Sequence, residues 1–341
     1  MIDPHVHCRD WNQKHKETIE HALHVAERAG LSAIFDMPNT NPLIISKETV
    51  EKRLADAEKC KSKVFYGMYI GLTSDENQIK NAVNCWKEYF PKVVGLKMYA
   101  GKSVENLAII EEEKQRFVYK TLAKCNYGGV LAVHCEKESL IRPELFNPEN
   151  PRTWSFARPP ESEVESVKDQ IRFAEESGFE GNLHICHVSV PESVDIINNV
   201  KNVSISCGVT PHHCMLNYEM IPVRKQGLIY KVNPPLRDRE SSENMIPLLK
   251  SGKIDFIETD HAPHTLDDKL EKQMSGFPGM PFYPSFIKQL YDIYEFSEKQ
   301  IQELTHTNIE SIFNIKIPLL NIKQPDFNLE NEYEFDVYTL K

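Results

Sequence analysis

Eight short apolar runs separated by helical patterns, in a chain of 341 residues, predict a parallel (β/α)8 TIM-type barrel. Three observations lead there. The runs and helices alternate as βα units do, and eight such units close a barrel. Ionisable side chains stand at the exits of the runs, where a parallel barrel gathers its active site. Such a barrel takes about 250 residues and tolerates insertions, so the length fits as well.

In chain order, the first run ends in His5-Val6-His7, and a helical pattern follows from about Lys16 to Ala29 with Gly30 as its stop. The second run is Ala33 to Asp36. After the turn-rich Met37-Pro38-Asn39-Thr40-Asn41-Pro42, Ser46 is the expected N-cap of a helix to about Cys60. Val64 to Ile70 and Val93 to Tyr99 are runs three and four, each followed by a helix, near 76–89 and 111–126. Run five is Val130 to His134, and beyond it the Pro-rich stretch Arg142 to Pro160 reads as an ordered insertion over one face. Helices near 163–177, 191–200, 240–250 and 282–294 interleave with runs six, seven and eight, at Leu183 to Val188, Val203 to Val209 and Phe256 to Asp260. Tyr333 to Tyr338 alternates large apolar and acidic residues and reads as a strand-like extension outside the barrel. The expected division is a barrel over residues 1–322 and an extension over 323–341 packed on it.

Composition excludes several classes of function. With 40% hydrophobic and 26% charged residues the chain reads as a soluble globular protein. Its formal charge, 40 − 50 = −10, argues against nucleic acid or an anionic membrane as partner. No apolar run approaches the ~18 residues of a membrane span. The first residues lack the basic and apolar regions of a signal peptide. Eight Cys without regular spacing suggest no disulfide scaffold, and a reducing cytoplasm is the expected location.

The polar groups at the run exits are His5, His7, Lys97, His134, His187 and Asp260. His5 and His7 are two apart on a strand, so both side chains point the same way and suit two nitrogens on one metal ion. Any one of these His can be a hydrogen-bonded core residue, but six such groups at the correct exits form a joint pattern. Lys97 has two readings: a buried salt-bridge lysine, or an amine converted by CO2 to a carbamate, an anionic oxygen ligand for two metal ions. On run six, His184 and His187 are an odd number apart and so face opposite sides of a strand. His187, nearer the exit, is preferred as ligand.

These residues resemble the amidohydrolase superfamily and, within it, the dihydroorotase family. The resemblance rests on Asp3-Pro4-His5-Val6-His7-Cys8-Arg9-Asp10, Met37-Pro38-Asn39-Thr40, Gly95-Leu96-Lys97-Met98-Tyr99, Val133-His134-Cys135-Glu136, His184-Ile185-Cys186-His187-Val188-Ser189, Pro211-His212-His213, Asn233-Pro234-Pro235-Leu236-Arg237 and Thr259-Asp260-His261-Ala262-Pro263-His264. It implies two Zn2+ per chain, one held by His5, His7 and Asp260, the other by His134 and His187, with carboxylated Lys97 between them. It also implies a cyclic amide hydrolase that interconverts N-carbamoyl-L-aspartate and dihydroorotate, a step of pyrimidine biosynthesis, with Asp260 as general base and then general acid. Arg9, Asn39 and His264 would bind the substrate carboxylate and Asn233 the ring, while Arg237 is expected to be structural. A homodimer and an association with aspartate transcarbamoylase are the implied partners.

Three departures stand out. Cys8 replaces a usual Leu, which concerns packing. The small β domain that an N-terminal segment forms with the C-terminus in many relatives is expected to be missing or reduced to the tail near Phe335. Cys186 precedes a ligand His, and in some relatives such a Cys is linked to an extra zinc. The acidic partner expected near Gly208 is absent, so a third metal is not expected and Cys186 is read as a core thiol. Two alternatives remain: a hydantoinase, dihydropyrimidinase or allantoinase, which would not need the Arg9–Asn39–His264 clamp, and a non-catalytic scaffold, which would be expected to have lost ligands. Segments 100–105 and 265–277 are the candidate lids.

Overall fold

The computed structural model describes residues 1–103, 106–320 and 325–338. Its strands are β1 (Ile2–Val6), β2 (Ala33–Asp36), β3 (Phe65–Gly71), β4 (Val93–Ala100), β5 (Val130–Cys135), β6 (Asn182–Ile185), β7 (Ile205–Val209) and β8 (Phe256–Ile257). They pair in chain order, all parallel. Every named strand belongs to this barrel, and no separate β domain stands among the described residues.

Closure between β8 and β1 needs side chains, because β8 is only two residues long. Val6 bridges His261, and the His7 amide donates to the His261 carbonyl at 2.7 Å. Below this bridge the Asp3 carboxylate accepts from the Thr259 amide at 3.0 Å and from its hydroxyl at 2.5 Å, completing a seam that backbone pairing leaves open.

Helices over Ile19–Arg28, Lys47–Lys59, Glu76–Tyr89, Glu112–Lys124, Pro160–Ser177, Pro191–Asn199, Arg239–Lys250 and Tyr283–Asp292 fall close to their expected positions. Ser46 caps its helix with a reciprocal bond to Thr49. Gly30 terminates the first helix at φ +82°, a conformation costly for a residue with a Cβ. The Pro-rich stretch folds into short helical turns at Pro143–Leu145 and Thr153–Ala157, an ordered insertion as expected.

Inside the barrel, Phe35, Tyr69, Val94, Ala132 and Phe256 pack on Phe313, the last residue of a late helix, Asn308–Phe313, that plugs one end, and on Ile315 and Ile317 beyond it. The extension departs from expectation: residues 333–338 form no strand. Since the β1–β8 seam is already covered by the Val6–His261 bridge and the Asp3–Thr259 bonds, its alternating pattern finds no open edge there. It is buried by side chains instead: Tyr338 stacks on Phe282 at 3.8 Å, and Val337 joins Val232, Leu236 and Phe277. The proposed 322/323 boundary lies outside the described residues, as do Val104 and Glu105 of the first candidate lid.

Candidate metal centre and substrate cleft

Three site residues adopt left-handed backbone conformations: Arg9 at φ +47°, His187 at +39° and Asp260 at +48°. Such conformations cost about 1–3 kcal/mol each away from glycine and persist where packing enforces them. Here they lie two or three residues past the ends of β1, β6 and β8, and all three side chains line one cleft. They also correct the expected opposite facing of His184 and His187. His187 lies beyond the end of β6, so strand alternation does not govern it, and both side chains are buried toward the barrel interior. His184 sits deeper, stacked on Phe256 at 4.6 Å and bonded to the Ser206 hydroxyl, in the structural role expected of it.

The metal-donor candidates converge. Asp260 Oδ1 lies 3.3 Å from His5 Nε2 and 2.9 Å from His7 Nε2. His134 Nδ1 faces His187 Nε2 at 3.2 Å. The far nitrogens of three rings are engaged by acceptors: His5 Nδ1 with Glu258 at 3.3 Å, His7 Nδ1 with Asn39 Oδ1 at 2.6 Å and His134 Nε2 with Glu136 at 2.8 Å. An acceptor on the far nitrogen fixes the proton there and leaves the near nitrogen's lone pair aimed at the centre.

The electrostatics agree with a cation-binding site. Burial drives the His7 imidazole down to about 4 and His187 well below its usual range, so both are neutral donors. Burial and Lys97 press His5 in the same direction, but Asp260, Cys186 and Glu258 outweigh them and raise it to about 9. Despite burial, His5 and His7 hold the Asp260 carboxyl well below its usual range. The buried carboxylates thus favour positive charge at the centre, which a bound cation would supply in place of a second proton on His5. The donor set, imidazoles with a buried carboxylate, fits zinc.

Lys97 is fully buried on β4, and its Nζ donates to Cys186 Sγ at 3.1 Å. Among the described residues no carboxylate pairs with it, so the salt-bridge reading finds no partner. Cys186 is buried among core residues, as read, and a carboxylate nonetheless approaches Gly208 from another strand. Glu258 reaches across from the end of β8, and a Cβ on Gly208 would come within 2.6 Å of its carboxylate. His5, Cys186 and Glu258 consequently bring a nitrogen, a sulfur and an oxygen within 4.8 Å of one another. Cys8 is a buried core residue, as expected.

A cleft of about 280 Å³ opens over this centre. Of the site residues named from sequence, all but the buried Lys97 line it, with Arg9, Asn39, Asn233 and His264 joining the metal-donor candidates. Arg9 Nε donates to the Pro263 carbonyl, and its Nη2 lies 3.1 Å from His264 Nε2. Lys16 adds a second cation, its Nζ 3.1 Å from His264 Nδ1. This cationic wall, balanced by Asp268 at 3.4 Å from Lys16, suits an anionic substrate group.

Several functional contributors escaped the sequence reading. Glu136 is itself held by Arg158 from the insertion, whose Nε donates to Oε1 at 2.9 Å. Arg237 Nη1 in turn donates to the Arg158 carbonyl at 2.6 Å, the structural role expected of it. Glu136 and Glu258 carried a signal, because each stands two residues from a ligand candidate at a strand exit. Lys16 and Arg158 carried none, since only the fold brings them in.

Comparison with known proteins places these features in a family. No protein-family model matches the chain. It is 31% identical to a dihydroorotase of Thermococcus kodakarensis over 340 residues, 99% of this chain and 72% of the relative. It is 34% identical to one of Archaeoglobus fulgidus over 318 residues, 92% and 72% of the two chains. Among solved structures, the L-hydantoinase of Arthrobacter aurescens aligns with a TM-score of 0.81 at 21% identity, covering 92% of this chain and 70% of that one. A Campylobacter jejuni dihydroorotase aligns at 0.71 and 17%, covering 92% and 83%. At those identities the structures establish the shared barrel, and the sequence relatives decide the family. The chain belongs to the dihydroorotase family of cyclic amide hydrolases, within the amidohydrolase barrels.

Proposed function

We propose that the cleft interconverts dihydroorotate and N-carbamoyl-L-aspartate, with two Zn2+ per chain and Lys97 carboxylated by CO2. The observation that carries this reading is one cleft with two unlike sets of groups: imidazole and carboxylate donors, and the Arg9 and Lys16 cations, which both face the neutral His264 ring. His5, His7 and Asp260 would hold one ion and His134 and His187 the other, with the carbamate of Lys97 between them. A fully buried amine without a carboxylate partner gains from becoming an anion between two cations. Metal ions there supply Lewis acidity and make a nucleophilic water available near neutral pH.

The chain's own residues then do the following. Arg9 and His264 hold the substrate carboxylate, joined by Asn39, whose Oδ1 is engaged by His7 and whose Nδ2 is left to donate. Asn233 contacts the ring. Asp260 accepts a proton from the attacking water as the new C–O bond forms, and delivers it to the ring nitrogen as the C–N bond breaks. In reverse the same carboxyl group closes the ring and releases water. A homodimer, contact with aspartate transcarbamoylase, residence in the cytoplasm and the division at residue 322 belong to the same proposal. No helix among the described residues is long and apolar enough to cross a membrane.

The hydantoinase reading draws on the 0.81 structural match, but an uncharged ring leaves the cationic wall unused. Ring opening of dihydroorotate, dihydrouracil and hydantoin, followed by amide absorbance, separates the two. We expect turnover of dihydroorotate; turnover of the uncharged rings alone would reject the substrate.

A further inference from the structure

A side-chain amide can show a ligand either its oxygen or its NH2, and its neighbours decide which. At Asn233 the neighbour is Trp154, on the short helix Thr153–Ala157 of the insertion. The Trp154 indole N–H donates to Asn233 Oδ1 at 3.1 Å and to the Val232 carbonyl at 3.0 Å. An indole nitrogen is a donor and nothing else, so a flipped Asn233 amide would set two donors against each other.

The ring of Trp154 is held in place around this contact. The Lys231 ammonium sits 3.8 Å from its centroid, and Phe146 meets it edge-on at 4.9 Å. The next residue, Ser155, anchors the helix by donating to the Leu236 carbonyl at 2.7 Å. Asn233 Nδ2 has no partner among the described residues, and Asn233 lines the same cleft as His187 and Asp260.

We propose that Trp154 is a positioning residue for specificity: by engaging Asn233 Oδ1 it turns the NH2 into the cleft, where it selects a ring carbonyl. This inference rests on the cyclic-amide reading above. A dihydropyrimidine or hydantoin ring alternates carbonyl and N–H groups around its ureide edge. A fixed donor therefore sets the rotational register of the ring, because a slip by one atom brings an N–H against the NH2.

The test is a double-mutant cycle of Trp154→Phe and Asn233→Ala on the intact enzyme, using whichever ring the unaltered protein opens. Each single change should raise KM about tenfold, with kcat much less affected, and the double variant should be no worse than Asn233→Ala alone, because Trp154 acts through Asn233. Effects that multiply, or an unaltered KM in Trp154→Phe, would overturn the proposal. Should Trp154→Phe not fold, Asn233→Asp decides: it keeps an oxygen for Trp154 but faces the substrate with an acceptor. Its KM should rise at least as far as that of Asn233→Ala, and an unaltered KM would overturn the proposal. A protein that opens hydantoin but not dihydroorotate defeats the substrate assignment while leaving this cycle intact.

Discussion

The two walls of the cleft are built differently. The metal-donor wall comes from strand ends, and its rings are pinned from behind: Glu258 holds His5, and Glu136, backed by Arg158, holds His134. The substrate wall comes from loops. Arg9 and His264 depend on each other and on Lys16, while Asn39 and Asn233 remain partly exposed. The difference teaches a division of labour. Strands hold the reacting groups before substrate arrives, whereas loops choose which substrate is held.

The largest effects should come from the strand wall. Asp260→Asn is expected to lower kcat by about 10³-fold or more, since it removes both a proton carrier and a metal donor. Chelation should abolish activity and lower Tm, with recovery on adding zinc, because an ion bound to the folded state stabilises it. Unchanged activity after exhaustive chelation would break the metal half of the comparison. Glu136→Gln should cost about 10–100-fold in metal affinity or activity, read by metal titration, through loosened orientation of His134.

On the loop wall, Arg9→Gln should raise KM for dihydroorotate about 10–100-fold, as expected for one charge-assisted hydrogen-bonded pair. Its kcat should fall far less than that of Asp260→Asn. Equal losses of kcat in the two variants would erase the division between walls.

The smallest effect lies outside the cleft, where the C-terminal segment is tied to the first helix. His21 bonds Glu17 at 3.0 Å and Glu332 at 3.4 Å. Its imidazole is raised above 6.5, chiefly by the bond to Glu17. A raised folded-state pKa contributes stability that is complete below the unfolded value and lost as pH rises through the folded one. His21→Gln should therefore destabilise the protein at roughly pH 6 and have no effect at roughly pH 9, by less than about 1 kcal/mol given the partial exposure. Thermal unfolding at both values checks the sign.

The same contrast explains what could be read from residues alone. Apolar runs bounded by helix signals gave away the eight strands, since burial on both faces leaves an uninterrupted apolar record. His5, His7, His134 and Asp260 were legible because an ionisable group at such an exit is otherwise costly. Facing was harder: the left-handed turn at His187 overrode strand alternation, and no local pattern announced it. Partners supplied from far along the chain, Lys16 to His264 and Trp154 to Asn233, leave no spacing to recognise. The plug helix Asn308–Phe313 and the segment 333–338, which forms no strand, were missed or misread because tertiary packing, not periodicity, decides their form.

The metal content of the purified, folded protein tests the central claim most directly. The account predicts two zinc ions per chain, falling when Lys97 is replaced by Ala. One ion or none in protein that opens the dihydroorotate ring, or two ions retained without Lys97, would contradict it.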